Sequence, residues 1–252
     1  DTPLTIDTIS FPVVNTISYQ VPPDIGLHEY LYFGKKDEFS FLYNLIRFSS
    51  IDSTNLYTFD YYNDSLIVAD SMKLIMSFAS DSVDKNVEFQ LRYFPGYGDS
   101  VFNEITTNYT NFDGSIASSV ISSSTMASDS IDSVTTQLRL NFLMDTTIIN
   151  IFKDTSKISF NSSFLVELTT ENLSEFKLFS ANNLSNSPKL RVYYRELLSD
   201  SVVLDSSFHT YYSSQDVSIL DKPAIVSTDT ENLSVGLAKG LRSLIMVDME
   251  DW

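Results

Sequence analysis

The sequence predicts an all-β fold: an antiparallel β-sandwich or jelly roll with little helix, followed by a C-terminal partial repeat of its own opening. Three observations predict it. Apolar and polar residues alternate at period two in run after run, the pattern of strands with one face on a core and one in water. The runs are short and separated by turn-rich polar stretches such as YYND, SDSVDKN and SANNLSNSP, which suits strands joined without βαβ crossovers. Residues 31–48, LYFGKKDEFSFLYNLIRF, have a shortened echo at residues 233–247, LSVGLAKGLRSLIMV.

Taken in order, residues 31–48 read as two adjacent core strands. Leu31 and Phe33 face inward, Gly34 permits the turn, Ile46 and Phe48 pack from the neighbouring strand, and Arg47 points away toward an acidic partner. MKLIMSF puts Met72, Leu74, Met76 and Phe78 on one face. NVEFQLRY does the same with Val87, Phe89, Leu91 and Tyr93, and QLRLNF with Leu138, Leu140 and Phe142. SFLVEL aligns Phe164, Val166 and Leu168, and KLRVYY aligns Leu190, Val192 and Tyr194. Only DSVFNEITTNY, with Asp99 or Ser100 as N-cap, and TTIINIFKDTSK leave room for a helical turn or two. The sandwich is expected to close at LRVYYRE. That gives a domain over residues 1–196, a linker and first repeat strand over 197–224, and the partial repeat over 225–252.

The ordered pattern of an early strand, then LYFG, a short loop, LIRF, and PKLRVYY after an Asn/Ser-rich loop resembles the DNRLRE-type domains of secreted bacterial and archaeal proteins. That family of β-sandwiches includes modules classed as carbohydrate-binding. The resemblance spans about residues 5–195, and its start recurs from about residue 203 to 249, with Met246 standing where the first copy has Arg47 and Val247 where it has Phe48. It invites a glycan-binding role. Tyr61, Tyr93 and Tyr193, each from a Tyr-Tyr or Tyr-Phe pair that puts one ring on each face of a strand, are the stacking candidates.

A partial repeat leaves sheet edges and apolar side chains uncovered, which proteins normally avoid. Three accounts are open. The chain is the front of a longer multidomain protein, or the tail caps its own domain, or the tail is donated to another subunit by strand addition. On the third account Leu233, Val235, Leu244, Ile245 and Val247 are subunit contacts and the chain forms a homo-oligomer or polymer.

Bulk properties narrow the remaining classes. In 252 residues, 43% hydrophobic and 13% aromatic content is enough for a sizeable core. A net charge of −17 repels phosphate backbones, so nucleic acid is not an expected partner. There is no cysteine, hence no disulfide and no thiolate chemistry. No apolar run approaches the about 18–20 residues of a membrane span, so no membrane insertion is expected. An opening at Asp1 reads as removal of a signal peptide, which makes the expected location extracellular or cell-surface.

No constellation for catalysis emerges. His28 and His209 belong to no metal-ligand spacing, and FPGYGDS reads as a turn rather than a phosphate loop. Glu88, Glu104, Glu167 and Glu196 are carboxylates that a glycosidase could use, but nothing pairs them. Asn-X-Ser/Thr triplets at Asn63, Asn108, Asn161, Asn172, Asn183 and Asn232 are what a chain this rich in these residues contains by chance. No catalytic residue and no organic cofactor are expected. A structural calcium, fed by oxygens such as those of DSIDS, DKN and DMED, is an expectation without a location. The function expected is a non-enzymatic extracellular structural or adhesive subunit, with a carbohydrate-binding module of a larger protein as the alternative.

Overall fold

The alternating runs become strands, and two long strands decide how the others are arranged. The computed structural model describes residues 13–22, 25–37, 39–49, 57–79, 87–95, 102–130, 136–153, 162–171, 173–199, 202–221 and 241–249. The chain divides into a unit made from both of its ends, Asp1–Pro23 with Pro223–Trp252, and a larger unit, Asp24–Lys222. The end unit opens with β1 (Val13–Gln20). The larger unit follows with β2 (Tyr30–Lys36), β3 (Phe39–Phe48), β4 (Ile67–Ser77), β5 (Glu88–Tyr93), β6 (Val120–Ser130) and β7 (Thr136–Met144). A short helix α1 (Thr147–Phe152) leads to β8 (Ser163–Leu168), β9 (Phe176–Phe179), β10 (Lys189–Ser199) and β11 (Val202–Leu220). The last strand, β12 (Leu241–Val247), belongs to the end unit again.

In the larger unit all strand pairs are antiparallel, and β6 and β11 each change partners halfway. Residues 120–125 of β6 pair with β5, and from Met126 onward the strand pairs with β7. Likewise β11 pairs with β10 as far as Tyr212, then with β3 from Ser213 to Leu220. The order β3-β8-β5-β6-β7-β4-β10-β11 therefore returns to β3 and closes. Two layers result, one of β10, β4 and β7 and one of β3, β8 and β5, joined at both sides by the strands that switch. Closure of this kind removes sheet edges.

The interior is filled by the residues whose alternation marks them in the sequence. Met72, Leu74, Met76, Phe78, Val87, Phe89, Leu91, Leu140, Phe142, Phe164, Val166, Leu168, Leu190, Val192 and Tyr194 form one buried cluster with Leu31, Phe33, Ile46 and Phe48. The all-β sandwich expectation is met. A second, smaller cluster of Leu45, Phe94, Phe102, Leu165, Val217 and Ile219 lies on the opposite face of β3, β8 and β11, with Phe112 packed against it. The layer of β3, β8 and β5 is thus partly covered on its outer side as well, while the layer of β10, β4 and β7 keeps an outer face.

β2 bridges the two layers. Its residues 34–36 pair with β3, whereas residues 30–33 have left that strand and pair with β9. Where the ladder is lost, side chains replace it: Asn44 Nδ2 donates to the Tyr32 carbonyl at 2.9 Å and the Tyr32 amide donates to Ser218 Oγ at 2.9 Å. Ser218 Oγ in turn donates to Asn44 Oδ1 at 2.5 Å, so these buried polar atoms satisfy one another.

Four expectations need correction. Gly34 is not the turn residue, since the β2–β3 hairpin turns beyond Lys36, where Asp37 takes a positive φ of 55°. Gly34 sits inside β2 with φ 84°, and a Cβ there would lie 2.5 Å from the Ser174 carbonyl oxygen. Residues 102–111 form turns rather than helix, because Asn103 Oδ1 accepts the amides of Ile105 and Thr106 and Asn108 Oδ1 accepts that of Thr110. Such local side-chain bonds compete with helical ones. Arg47 has no carboxylate partner among the described residues. The sheet also does not end near Glu196: β10 continues to Ser199 and β11 carries Tyr211, Val217 and Ile219 into the two clusters. The polar tone of SDSVVLDSSFHTYYSSQDVSIL concealed that strand, since its buried positions include His209, Ser213, Asp216 and Ser218.

The expected helix within TTIINIFKDTSK does form, with Ile148, Ile149 and Phe152 buried and Asp145 Oδ1 accepting the Thr147 amide at 2.7 Å. Gly34 gives the sharpest stability test. Replacing it by alanine forces a left-handed φ and a backbone clash together, so Gly34→Ala should lower the unfolding free energy in urea by roughly 2–4 kcal/mol. Gly114→Ala, whose methyl meets only the Phe112 ring edge at 3.2 Å, should cost about 1 kcal/mol or less. Equal losses would mean that the Ser174 contact does not fix Gly34.

Candidate functional site

The end unit holds the strongest candidate surface. β1 and β12 pair antiparallel, with Val13 opposite Val247, Thr16 opposite Ile245 and Ile17 opposite Leu244, as a sheet of two strands among the described residues. Val13, Val14, Ile17, Leu244, Ile245, Met246 and Val247 are all exposed. The contrast with the first copy is direct. Leu45 and Ile46 are 0% exposed and Phe48 2%, held between β8 and β11, whereas the corresponding Leu244, Ile245 and Val247 are 59%, 52% and 40% exposed. A sequence with the character of a core strand therefore stands uncovered. Leu233 and Val235, the other two expected contacts, lie outside the described residues.

A second surface is the outer face of the layer formed by β10, β4 and β7. With Leu190 and Val192 inward, Lys189, Arg191 and Tyr193 point out, and register places Arg191 opposite Lys73 on β4 and Thr210 on β11. Arg139 on β7 points to the same side. Aromatic rings border these cations: the Arg191 guanidinium lies 4.8 Å from the Phe208 ring centroid, Lys189 Nζ lies 5.4 Å from that of Tyr212, and Tyr193 meets Phe208 at 5.7 Å. Burial, followed by the neighbouring charges of Arg139 and Arg191, holds the Lys189 ammonium below its ordinary pKa. Gathering Lys73, Arg139, Lys189 and Arg191 on one face of a chain with net charge −17 is a local reversal of sign.

The three tyrosines expected to stack on sugars do not converge. Tyr193 is on this outer face. Tyr61 lies in the 3-10 turn Phe59–Asn63, stacked on Tyr57 at 4.3 Å, and its hydroxyl donates to Glu196 Oε1 at 2.8 Å. Burial and the Glu196 carboxylate push that hydroxyl's pKa well up. Tyr93 points inward and packs on Phe152 and Phe164.

Groups that could carry chemistry are engaged in structure. His209 is buried, with Tyr62 Oη 2.8 Å from Nδ1 and Tyr194 Oη 3.0 Å from Nε2. One ring nitrogen can accept a hydrogen bond from one tyrosine hydroxyl while the other donates one to the second. Glu88 and Glu167 do share a face of β5 and β8, but Arg92 Nε holds Glu167 at 3.0 Å. Among the described residues no three His, Cys, Asp or Glu side chains gather as metal ligands, and no helix is long and apolar enough to cross a membrane.

One buried carboxyl went unnoticed in the sequence. Asp216 on β11 is 0% exposed; its Oδ2 accepts the Ala181 amide at 2.5 Å and its Oδ1 has no partner. Burial raises its pKa from 3.8 to about 8, and the nearby Glu104 carboxylate adds to the rise. The only sequence signal was an Asp in an alternating strand at an inward position. The basic outer face, in contrast, was legible: KLRVYY, MKLIMSF and QLRLNF each place a cation between inward apolar residues.

Comparison with family models, curated proteins and solved structures finds no match to this chain. The resemblance to DNRLRE-type domains accordingly rests on the strand motifs alone.

Asp216 gives a pH prediction. Folded chain keeps its proton up to about pH 8, whereas unfolded chain loses it near 3.8, so the folded state binds more protons across that window. Stability from this group is complete below the lower value and is lost as pH rises through the upper one. In buffer free of divalent cations the melting temperature should fall between pH 5 and pH 8.5, and Asp216→Asn should flatten that fall. An identical slope in the variant would assign the pH dependence elsewhere.

Proposed function

We propose that this chain is a non-enzymatic extracellular structural or adhesive subunit that assembles with neighbouring copies through its β1–β12 ribbon by strand addition. The observation that carries the reading is the pairing of a closed sheet with an open one. Eight strands of the larger unit close on themselves, while the ribbon is a sheet of two strands among the described residues and carries exposed apolar side chains. An isolated pair of strands is marginally stable in water, so an added strand gains both main-chain hydrogen bonds and cover for Leu244, Ile245 and Val247. Repeated from copy to copy, such a contact builds a filament.

A second reading, a carbohydrate-binding module, is favoured by the outer face of β10, β4 and β7. Tyr193, Phe208 and Tyr212 supply rings for stacking, and Arg191 and Lys189 supply donors. The two readings predict different dependences. For assembly, light scattering and negative-stain microscopy should find oligomers or fibres for the full chain, and monomers for the chain ended at residue 222 and for full-length Ile245→Lys. For glycan binding, retardation in gels loaded with an acidic polysaccharide should survive both changes and be lost in Tyr193→Ala. Monomers from all three proteins at every concentration overturn assembly by this ribbon.

A further inference from the structure

We propose that Glu104 and Asp216, together with the main-chain oxygen of His28 and the side-chain oxygen of Asn182, form a calcium site that ties three loops to β11 in the larger unit. The argument begins with a count of donors and acceptors. Asp216, fully buried, has one carboxyl oxygen bound to the Ala181 amide at 2.5 Å and the other with no partner. Glu104 accepts the Asp216 amide, which sets its carboxylate beside that residue. Its other contact is Asn182 Nδ2 at 3.4 Å, and the same nitrogen is 3.4 Å from the His28 carbonyl, which also accepts Ser180 Oγ at 2.8 Å. One amide nitrogen is stretched between two acceptors, a third acceptor is unmet, and neither carboxylate has a Lys or Arg partner among the described residues. Two carboxyl groups and a carbonyl oxygen gathered with no cationic side chain beside them are the composition of a cation site.

The loops are held where a metal needs them. A Cβ on Gly26 would overlap the Glu104 carbonyl oxygen, so the turn that carries His28 is packed directly on the Glu104 backbone. Ser180 Oγ accepts the Asn182 amide at 3.1 Å and fixes that loop over His28. Rotating the Asn182 side chain by half a turn exchanges Nδ2 for Oδ1 and supplies a further oxygen without moving the backbone. Two carboxylates with neutral carbonyl and amide oxygens, and no nitrogen or sulfur ligand, suit calcium rather than zinc or copper; magnesium would demand a stricter octahedron. Asp216 closes the inner end of this arrangement, and Glu104, partly exposed, faces the side from which the ion enters.

Full-length protein freed of metal with EDTA should be titrated with calcium chloride by calorimetry, with melting temperatures recorded in parallel. Binding near one equivalent and a rise of roughly 5–10 °C at about a hundredfold excess over the dissociation constant are expected, with a smaller rise for magnesium. Glu104→Gln and Asp216→Asn should each weaken binding at least about tenfold and remove most of the rise, while melting in EDTA no lower than the wild type. Asp113→Asn, at an exposed turn, should respond as the wild type does. No heat and no thermal shift with calcium overturn the site. So does a shift that persists in both variants, since the ion then binds elsewhere on the acidic surface; Glu104→Gln decides the matter if Asp216→Asn fails to fold.

Discussion

The larger unit depends on a single strand changing partners between Tyr212 and Ser213. Before that point β11 belongs with β10, and after it with β3. Without the exchange the two layers would stay joined through β6 alone, as one open sheet with two bare edges. The exchange requires a strand of 19 residues, and its second half runs under β2 where polar groups cannot reach water. Hence Ser218 answers Tyr32 and Asn44, and Asp216 answers Ala181. Polar residues in the core of this protein follow from closing its sheet.

The same arrangement decides which surfaces are left to interact. One outer layer face is used up by Phe94, Phe102 and Phe112, which lie over Leu45, Leu165, Val217 and Ile219. The opposite face retains a row of cations and rings, and the end unit retains its ribbon. Structural roles absorb the groups that a catalytic reading would want: His209 between two tyrosines, Glu167 on Arg92, Glu196 under Tyr61.

Much of this was legible in the sequence, for a physical reason. Where a strand's inward residues are apolar, as in β4, β5, β7, β8 and β10, alternation alone names the core, and it also names the outward Lys73, Arg139 and Arg191. It fails at β11, because a buried position filled by His209, Asp216 or Ser218 looks solvated until its partner is known, and every one of those partners is distant in the chain. It fails at Asn103 and Asn108 for the opposite reason, since there the partners are too near and turn the chain before a helix can form. The echo of residues 31–48 near the C-terminus was legible as a pattern. Its contrasting environments, one strand enclosed and the other bare, were not, because burial depends on neighbours that no local stretch specifies.

The antiparallel register of the ribbon has a mechanical meaning. Val13 faces Val247, so the chain segments leading away from β1 and β12 depart from the same end of the pair. Tension applied between those segments pulls the strands apart like a zipper, one residue pair at a time, rather than shearing the whole ladder together. The contact between Gln20 and Leu241 is then the last to open. A pair of strands loaded in this way yields at low force and without a sharp threshold, whereas β11, clasped along opposite halves by β10 and β3, must release two ladders to move at all.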